Sequence, residues 1–123
     1  MRILVCGSRT WYTCVAEIEA ALRPYTGEQP DAVVIHGGAS GVDTVAGNVA
    51  YRMGFQTKIY PANWALYGKS AGYIRNKQML DEGKPDIVLA FWDGKSRGTK
   101  MMIELAQKAG VPVKIYLLEG KEE

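Results

Sequence analysis

Three closely spaced glycines form the stretch of this sequence that is best suited to bind a charged group. Gly37, Gly38 and Gly41 lie between an apolar, β-branched run at 32–35 and a run from Val42 whose apolar residues have helical spacing. The pattern predicts a buried strand, a turn and a helix. Glycines let the backbone approach a ligand closely, and the first amides of a helix favour phosphate or carboxylate. The alternative is a tight turn without a ligand, because a single glycine pattern is weak evidence.

Polar, glycine-bearing segments also follow the first, third and fourth predicted strands. Their candidate ligand-binding residues are Gly7, Ser8, Arg9, Lys69, Ser96, Gly98 and Thr99. An arginine can hold a phosphate with two hydrogen bonds, and hydroxyls can donate to phosphate oxygens. The alternatives are that the hydroxyls cap helices and that Arg9 is an ordinary surface residue.

Further candidates lie on or beside the predicted helices. Asp43, in the first turn of the second helix, is expected to cap amides or to bind a ribose hydroxyl. Ser40 could donate to phosphate or cap a helix. Arg75 and Asn76 do not continue the apolar stripe of the third helix, which suits an anionic group or a solvated face. Trp64 could stack on a base, close a lid or form a subunit contact.

The elements that must position these residues alternate strictly between strand and helix. Strands are predicted at 2–6, 32–35, 56–60, 86–91 and 111–117, and helices at 13–22, 42–52, 72–80 and 99–109, with a long loop at 62–71 and a charged tail at 120–123. Apolar strands linked by helices predict one α/β domain over 1–123, a small doubly wound, Rossmann-like parallel sheet of order 3-2-1-4-5. In such a sheet the candidate segments share the carboxyl edge, where ligands bind.

Composition excludes several classes of protein. The chain has 123 residues, 47% of them hydrophobic and 23% charged, with a formal net charge of +2. This charge is too small to indicate a nucleic-acid partner by itself. One histidine and two cysteines at unrelated spacing predict neither a disulfide framework nor a metal site. No apolar run predicts a membrane span or a signal peptide, so we expect a reduced, cytoplasmic location.

Four motifs, in order along nearly the whole chain, resemble the YspA-type (cpYpsA-related) branch of the SLOG superfamily. They are Val5-Cys6-Gly7-Ser8-Arg9, Gly37-Gly38-Ala39-Ser40-Gly41-Val42-Asp43, the segment from Pro61-Ala62-Asn63-Trp64 through Lys69 to Ile74-Arg75-Asn76, and Ser96-Arg97-Gly98-Thr99. The superfamily also contains DprA/Smf proteins and LOG phosphoribohydrolases. The resemblance implies a Rossmann-like fold that binds nucleotides or nucleotide-derived ligands such as those related to ADP-ribose, in bacteria or their phages.

Three positions depart from the patterns that the resemblance implies. Ser40 and Thr44 stand where the branch commonly has basic residues, so we expect a ligand of lower charge or one held more by amides. LOG enzymes carry a catalytic glutamate three residues after Gly-Thr, and Met102 stands there in this chain. Glu104 lies two residues further on, about 200° around a helix. We therefore expect little or no LOG-type hydrolysis.

Three functions remain open from the sequence. The first is binding of a nucleotide-like small molecule without a separate cofactor, as a sensor or carrier. The second is N-glycosidic hydrolysis, for which Asp43, Asp93 and Glu104 are the candidate carboxylates. The third is binding of single-stranded DNA, by analogy with DprA, but the near-neutral charge makes nucleic acid an unlikely partner in this interpretation.

A homo-oligomer, either a dimer or a tetramer, is expected from the resemblance. Trp11, Trp64 and Trp92 support this expectation, because they are more large aromatics than one small sheet needs and aromatics are enriched at interfaces.

Overall fold

The computed structural model describes residues 1–27 and 32–118 and contains a five-stranded sheet with helices on both faces. The strands are β1 (Arg2–Gly7), β2 (Val33–His36), β3 (Gln56–Ile59), β4 (Ile87–Trp92) and β5 (Val113–Leu117). The helices are α1 (Val15–Leu22), α2 (Val42–Arg52), α3 (Trp64–Tyr67), α4 (Ala71–Gly83) and α5 (Arg97–Lys108). Short 3-10 turns cover Arg23–Tyr25 and Gly68–Ser70.

The sheet is parallel throughout and its order is β3-β2-β1-β4-β5, which confirms the predicted topology. The central strands β1 and β4 are almost fully buried because helices cover both of their faces. The edge strands differ from the prediction of apolar strands covered on both faces, since every residue of β3 and most of β5 are exposed. Because the strands are parallel, the ends of β1, β2 and β4 and the beginnings of α2 and α5 lie at the same edge of the sheet.

Two apolar layers hold the helices on the sheet. One layer joins α1 and α2 to the sheet through residues such as Ile18, Val49 and Phe91, and the other joins α4 and α5 through residues such as Met79 and Ala106. Trp11 is 6% exposed within the first layer. Trp92 packs partly buried against the second layer. These two tryptophans are explained by the core, so they do not support the predicted oligomer.

Several predicted boundaries are corrected by local capping. The last helix begins at Arg97 rather than at residue 99, because the side chain of Ser96 accepts a hydrogen bond from the Thr99 amide. The helix predicted at 72–80 runs over Ala71–Gly83 and ends where Lys84 adopts a left-handed conformation. The segment predicted as a loop at 62–71 contains α3, whose N-cap Asn63 accepts from the Leu66 amide. The predicted tail at 120–123 lies outside the described residues.

Close packing of two chain segments makes Gly41 a structural requirement. Its φ is +76°, and a Cβ atom there would collide with the backbone of Ser8 and Arg9. The Val42 amide next to it donates to the Ser8 carbonyl at 3.0 Å, which joins the end of β1 to the beginning of α2.

We expect Gly41→Ala to lower the free energy of unfolding by about 3 kcal/mol or more, because strained backbone and overpacking add together. Gly54→Ala is the matched control, since Gly54 also has a positive φ of +90° but a Cβ there meets nothing within 4 Å in the part of the chain that the structure describes. Gly54→Ala should lower the free energy of unfolding by only about 1 kcal/mol. Urea unfolding measures both, and equal losses would contradict the packing argument.

Candidate functional site

Two adjoining chambers form a cleft at the carboxyl edge of the sheet. The first chamber has a volume of about 250 Å³ and lies between the end of β1, α4 and the beginning of α5. The second chamber, of about 230 Å³, lies between the glycine loop (residues 37–41) and Trp64. Arg9, Ala39 and Arg75 line both chambers, so we treat the two as one cleft.

The amides of the glycine loop are already hydrogen-bonded within the chain. The amides of Gly37 and Ala39 donate to Oδ2 of Asp43 at 3.1 and 3.2 Å. The Gly38 amide donates to Nδ1 of His36 at 3.0 Å. The hypothesis that the first amides of this loop bind an anion takes them as free, whereas these three have partners within the protein. Asp43 uses its carboxylate to hold the loop that precedes α2.

Steric contacts explain why the last residue of β1, Gly7, and the first two residues of the glycine loop are glycine. A Cβ at Gly37 would overlap the guanidinium of Arg75, and one at Gly7 would lie 2.5 Å from the Phe91 carbonyl oxygen. Gly38 has a φ of +71°, and a Cβ there would lie 3.0 Å from Ile59. These glycines allow close approach within the protein, so they are not evidence of a ligand.

Arg75 is a buried cation that forms no ion pair with a carboxylate of the described residues. The residue is only 8% exposed. Its Nη1 donates to the Gly37 carbonyl at 2.9 Å, and its Nε donates to Oδ1 of Asn76 at 2.9 Å. Within the described residues the one ion pair closer than 4 Å joins Lys77 and Asp81. Burial lowers the pKa of Arg75, and the charge of Asp43 opposes that shift. A buried charge without an ion pair is costly, and an anion in the cleft would offset that cost.

Burial also shifts the acids and bases around Arg75. It raises the pKa of the Asp43 carboxyl from 3.8 to about 6, although the amides of Ala39 and Gly37 and the charge of Arg75 act in the opposite direction. Burial and then the charge of Arg75 lower the pKa of His36, so the imidazole is neutral at pH 7 and Nδ1 is free to accept a hydrogen bond. Burial raises the pKa of the Cys6 thiol in the first chamber, which favours the protonated thiol over the thiolate.

The beginning of α5 offers hydrogen-bond donors that no described residue uses. Oδ1 of Asp93 accepts from the amides of Lys95 and Ser96, each at 2.8 Å, and Oγ of Ser96 accepts from the Thr99 amide at 3.5 Å. The amides of Arg97 and Gly98 have no hydrogen-bond partner among the residues that the structure describes. Unpaired amides at the first turn of a helix favour an anion.

Gly98 differs from the glycines of the loop. A Cβ added at Gly98 meets nothing within 4 Å in the described ranges, and its φ lies outside the left-handed region. Gly98 also lines the first chamber. Neither packing nor backbone strain explains this glycine.

Trp64 and Arg9 form the outer wall of the second chamber. The guanidinium carbon of Arg9 lies 5.2 Å from the centre of the Trp64 ring, and Trp64 is 49% exposed. Ser40, on the same chamber, donates its hydroxyl to the Arg9 carbonyl at 3.0 Å. The half-exposed ring is a surface on which a planar group can stack.

Most of the candidate residues from the sequence line this cleft, and three do not. Those that line it are Gly7, Arg9, Gly37, Gly38, Ser40, Asp43, Trp64, Arg75, Asn76, Ser96, Gly98 and Thr99. Ser8 is buried with its hydroxyl 3.2 Å from that of Thr10. Gly41, the last residue of the glycine loop, packs against the backbone of Ser8 and Arg9, and Lys69 is exposed on a 3-10 turn and does not line either chamber.

Four polar or sulfur-bearing residues of the first chamber are not among the candidates that the sequence predicts. They are Cys6, Arg97, Met79 and Met101. Arg97 could have been found, since it follows Ser96 directly at the predicted ligand edge. The methionines have only the helical spacing of ordinary core residues, so nothing in the sequence separates them from the core.

Carboxylates are scarce in the cleft. Asp43 is the one carboxylate that lines either chamber among the described residues. Met102 lines the first chamber, as expected for the position that a LOG-type glutamate would occupy. Glu104 lines a separate groove on the outer side of α4 and α5.

Comparisons with known proteins place the chain in a group with this fold. The family model of the YspA, cpYpsA-related SLOG family matches residues 1–67. The Gene 61 protein of Mycobacterium phage D29 is 38% identical over 117 residues, covering 91% of this chain and 93% of that protein.

Two solved structures share the architecture. DNA processing protein A (DprA) from Streptococcus pneumoniae superposes with a TM-score of 0.73 at 20% identity, covering 93% of this chain and 49% of DprA. This chain thus spans about half the length of DprA. The C-terminal domain of PF1911 hydrogenase from Pyrococcus furiosus gives a TM-score of 0.51 at 17% identity over 94% of this chain and 91% of that domain. At these identities the likeness shows the fold alone.

The fold and the family match define a Rossmann-like domain of the SLOG type. The chain belongs to the YspA, cpYpsA-related SLOG family. The prediction that nucleic acid is an unlikely partner gains no support, because a DNA processing protein has the same fold. No helix within residues 1–27 and 32–118 is long and apolar enough to cross a membrane, and these residues contain no group of three or more potential metal-ligating His, Cys, Asp or Glu side chains.

We expect Asp43→Asn to change how stability depends on pH. The folded-state pKa of Asp43 lies above its ordinary value. The stability that Asp43 contributes is therefore fully present below about pH 4 and is lost as pH rises toward 6. The asparagine oxygen can still accept from Gly37 and Ala39. The free energy of unfolding of the parent, relative to that of the variant, should fall by about 2 to 3 kcal/mol between pH 4 and pH 6.5, since one pKa unit corresponds to about 1.36 kcal/mol. Urea unfolding across this range measures the difference, and a constant difference would contradict the assignment.

Proposed function

We propose that this protein binds a nucleotide or a nucleotide-derived small molecule in the cleft, as a sensor or carrier. The observation that carries the proposal is the buried guanidinium of Arg75. It lines a cleft that Arg97 and Gly98 also line, and the amides of these two residues have no partner in the described ranges. A cation and two free amides around one chamber suit a phosphate group.

The phosphate is assigned to the first chamber, at the beginning of α5. Gly98 lets an anion approach the amides without obstruction, since nothing described lies within 4 Å of its added Cβ. The hydroxyl of Thr99 lines the same chamber and can donate to a phosphate oxygen. Arg9 and Arg75, which both chambers share, supply the positive charge between them.

The base is assigned to the second chamber. Trp64 presents a half-exposed ring there, and the Arg9 guanidinium lies over that ring rather than in an ion pair with a carboxylate of the described chain. A planar base can stack on tryptophan or on a guanidinium, which orients a nucleotide with its phosphate toward α5.

Hydrolysis of an N-glycosidic bond is a weaker proposal for the same cleft. Departure of the base leaves positive charge on the ribose, and a nearby carboxylate stabilises that charge. Met102 cannot do so, and the carboxylate of Asp43 already accepts two loop amides. We therefore propose binding without turnover.

Single-stranded nucleic acid is the second candidate ligand. Exposed cations occur in the cleft and along the segment around the beginning of α5, namely Arg9, Lys95, Arg97 and Lys100. With Trp64 half exposed beside Arg9, this surface combines positive charge with an aromatic ring, as strand-binding proteins do. It would contact many phosphates, whereas a small nucleotide contacts few.

Gly98→Val should weaken nucleotide binding and leave the fold intact. The valine side chain would occupy the space in front of the Arg97 and Gly98 amides, and we expect affinity to fall at least about tenfold, since an anion loses charge-assisted hydrogen bonds of roughly 1.5–3 kcal/mol. Calorimetric titration with AMP, ADP-ribose and inorganic phosphate measures it. Ala16→Val is the matched control, because Ala16 is the second residue of α1, exposed and not part of the cleft lining.

The affinity of a labelled 12-nucleotide single strand for the parent and for both variants is measured at several salt concentrations. A steep loss of oligonucleotide affinity with salt, together with no nucleotide binding, would favour the nucleic-acid candidate. Unchanged nucleotide affinity in a folded Gly98→Val protein would contradict the assignment of phosphate to the beginning of α5.

A further inference from the structure

Arg9 lies over the aromatic ring on which a base would stack. Its guanidinium carbon is 5.2 Å from the centre of the Trp64 ring. Stacked aromatic groups have their centres about 4.5–7 Å apart, so the guanidinium fills the space that a base on this ring would need. The charged group of Arg9 therefore covers the stacking surface of the second chamber in this structure.

The guanidinium of Arg9 is held only weakly in this position. It forms no ion pair closer than 4 Å and donates no hydrogen bond in the described part of the chain. Its contact with the half-exposed Trp64 is a cation–π interaction, which is weak where water reaches it. The backbone of Arg9 is fixed, because its carbonyl accepts the Ser40 hydroxyl at 3.0 Å and Gly41 packs closely against it. The side chain can therefore move while the backbone stays in place.

The side chain of Arg9 borders both chambers and lies near a second cation. Arg9 and Arg75 each line the first and the second chamber. Burial lowers the pKa of Arg75, the charge of Asp43 opposes this shift, and the charge of Arg9 adds to it, so the two guanidinium groups repel each other. A phosphate in the first chamber would attract both groups. Since charge-assisted hydrogen bonds are stronger than an exposed cation–π contact, the phosphate would draw Arg9 off the ring.

We propose that Arg9 makes the cleft select phosphorylated nucleotides over nucleosides. A phosphate bound at the beginning of α5 attracts the Arg9 guanidinium into the first chamber, and the base then stacks on the uncovered ring of Trp64. A nucleoside carries no anion, so it must displace Arg9 with no attraction that offsets the lost contact. This inference rests on the proposed function and deepens it, because it couples binding of the base to binding of the phosphate.

Adenosine, titrated with and without inorganic phosphate, tests this coupling. The indole Nε1–H signal of Trp64 in a ¹H–¹⁵N spectrum, identified by its loss in Trp64→Phe, reports on the ring. In the parent, phosphate alone should move this signal. Saturating phosphate should also tighten adenosine binding about two- to fivefold, which is the factor that an exposed cation–π contact represents. Sodium chloride at the same ionic strength should have neither effect.

Arg9→Ala should leave the ring uncovered whether or not phosphate is present. Adenosine should then bind about two- to fivefold more tightly than to the parent, and phosphate should add nothing further. Arg97→Ala is the matched control, since exposed Arg97 lines the first chamber and not the second, where Trp64 lies. Without phosphate, its adenosine affinity should equal that of the parent.

Particular results would overturn this account of Arg9. If AMP binds but phosphate changes neither the Trp64 signal nor the adenosine affinity, the inference is wrong and the proposed function stands. Weaker adenosine binding by Arg9→Ala would also overturn it, since the base would then stack on the guanidinium itself. A parent that binds neither AMP nor phosphate would contradict the proposed function as well. The ¹H–¹⁵N spectrum of each variant verifies its fold.

Discussion

Hydrogen bonds on both sides of Gly37 determine how the carboxyl edge of this sheet is built. The Gly37 amide donates to Asp43, and the Gly37 carbonyl accepts from Nη1 of Arg75. Because Gly37 has no side chain, the guanidinium can cross directly over it. This arrangement fixes the loop between β2 and α2, connects it to α4, and holds a cation in the wall of the cleft.

Because the amides of the glycine loop are saturated, the anion site that we propose lies on the other side of the cleft. The loop amides at 37–39 all have partners within the protein, whereas Arg97 and Gly98 present free amides among the described residues. The loop then positions Arg75, and α5 supplies the donors. Burial of Arg75 and Asp43 in one cluster keeps their charges close, so an anion entering the cleft would act on the protonation of Asp43 as well.

The sequence predicts the fold well because alternation of apolar strands and helices leaves few topologies for a parallel sheet. It also predicts most of the cleft, since strand ends such as those before Arg9 and Ser96 must meet at one edge. Local sequence patterns cannot show which side chain accepts a hydrogen bond from a given amide, because Asp43 comes close to the Gly37 amide only in the folded turn. They also cannot separate Gly37, where a side chain would overlap Arg75, from Gly98, where an added Cβ would meet nothing within 4 Å in the described protein. The predicted ends of two helices were wrong for a similar reason, since the Ser96 cap and the left-handed Lys84 depend on individual hydrogen bonds and dihedral angles.

Amide chemical shifts during a titration with AMP test the central claim most directly. In a ¹H–¹⁵N correlation spectrum, the amide signals of Arg97 and Gly98 should move most and shift downfield as they bind phosphate, while those of Gly37 and Ala39 keep their bonds to Asp43 and move little. Inorganic phosphate should reproduce the changes at α5 at higher concentration. Large changes at Gly37–Ala39 with none at Arg97 and Gly98 would contradict the account, because the loop would then have released Asp43 to bind the anion itself.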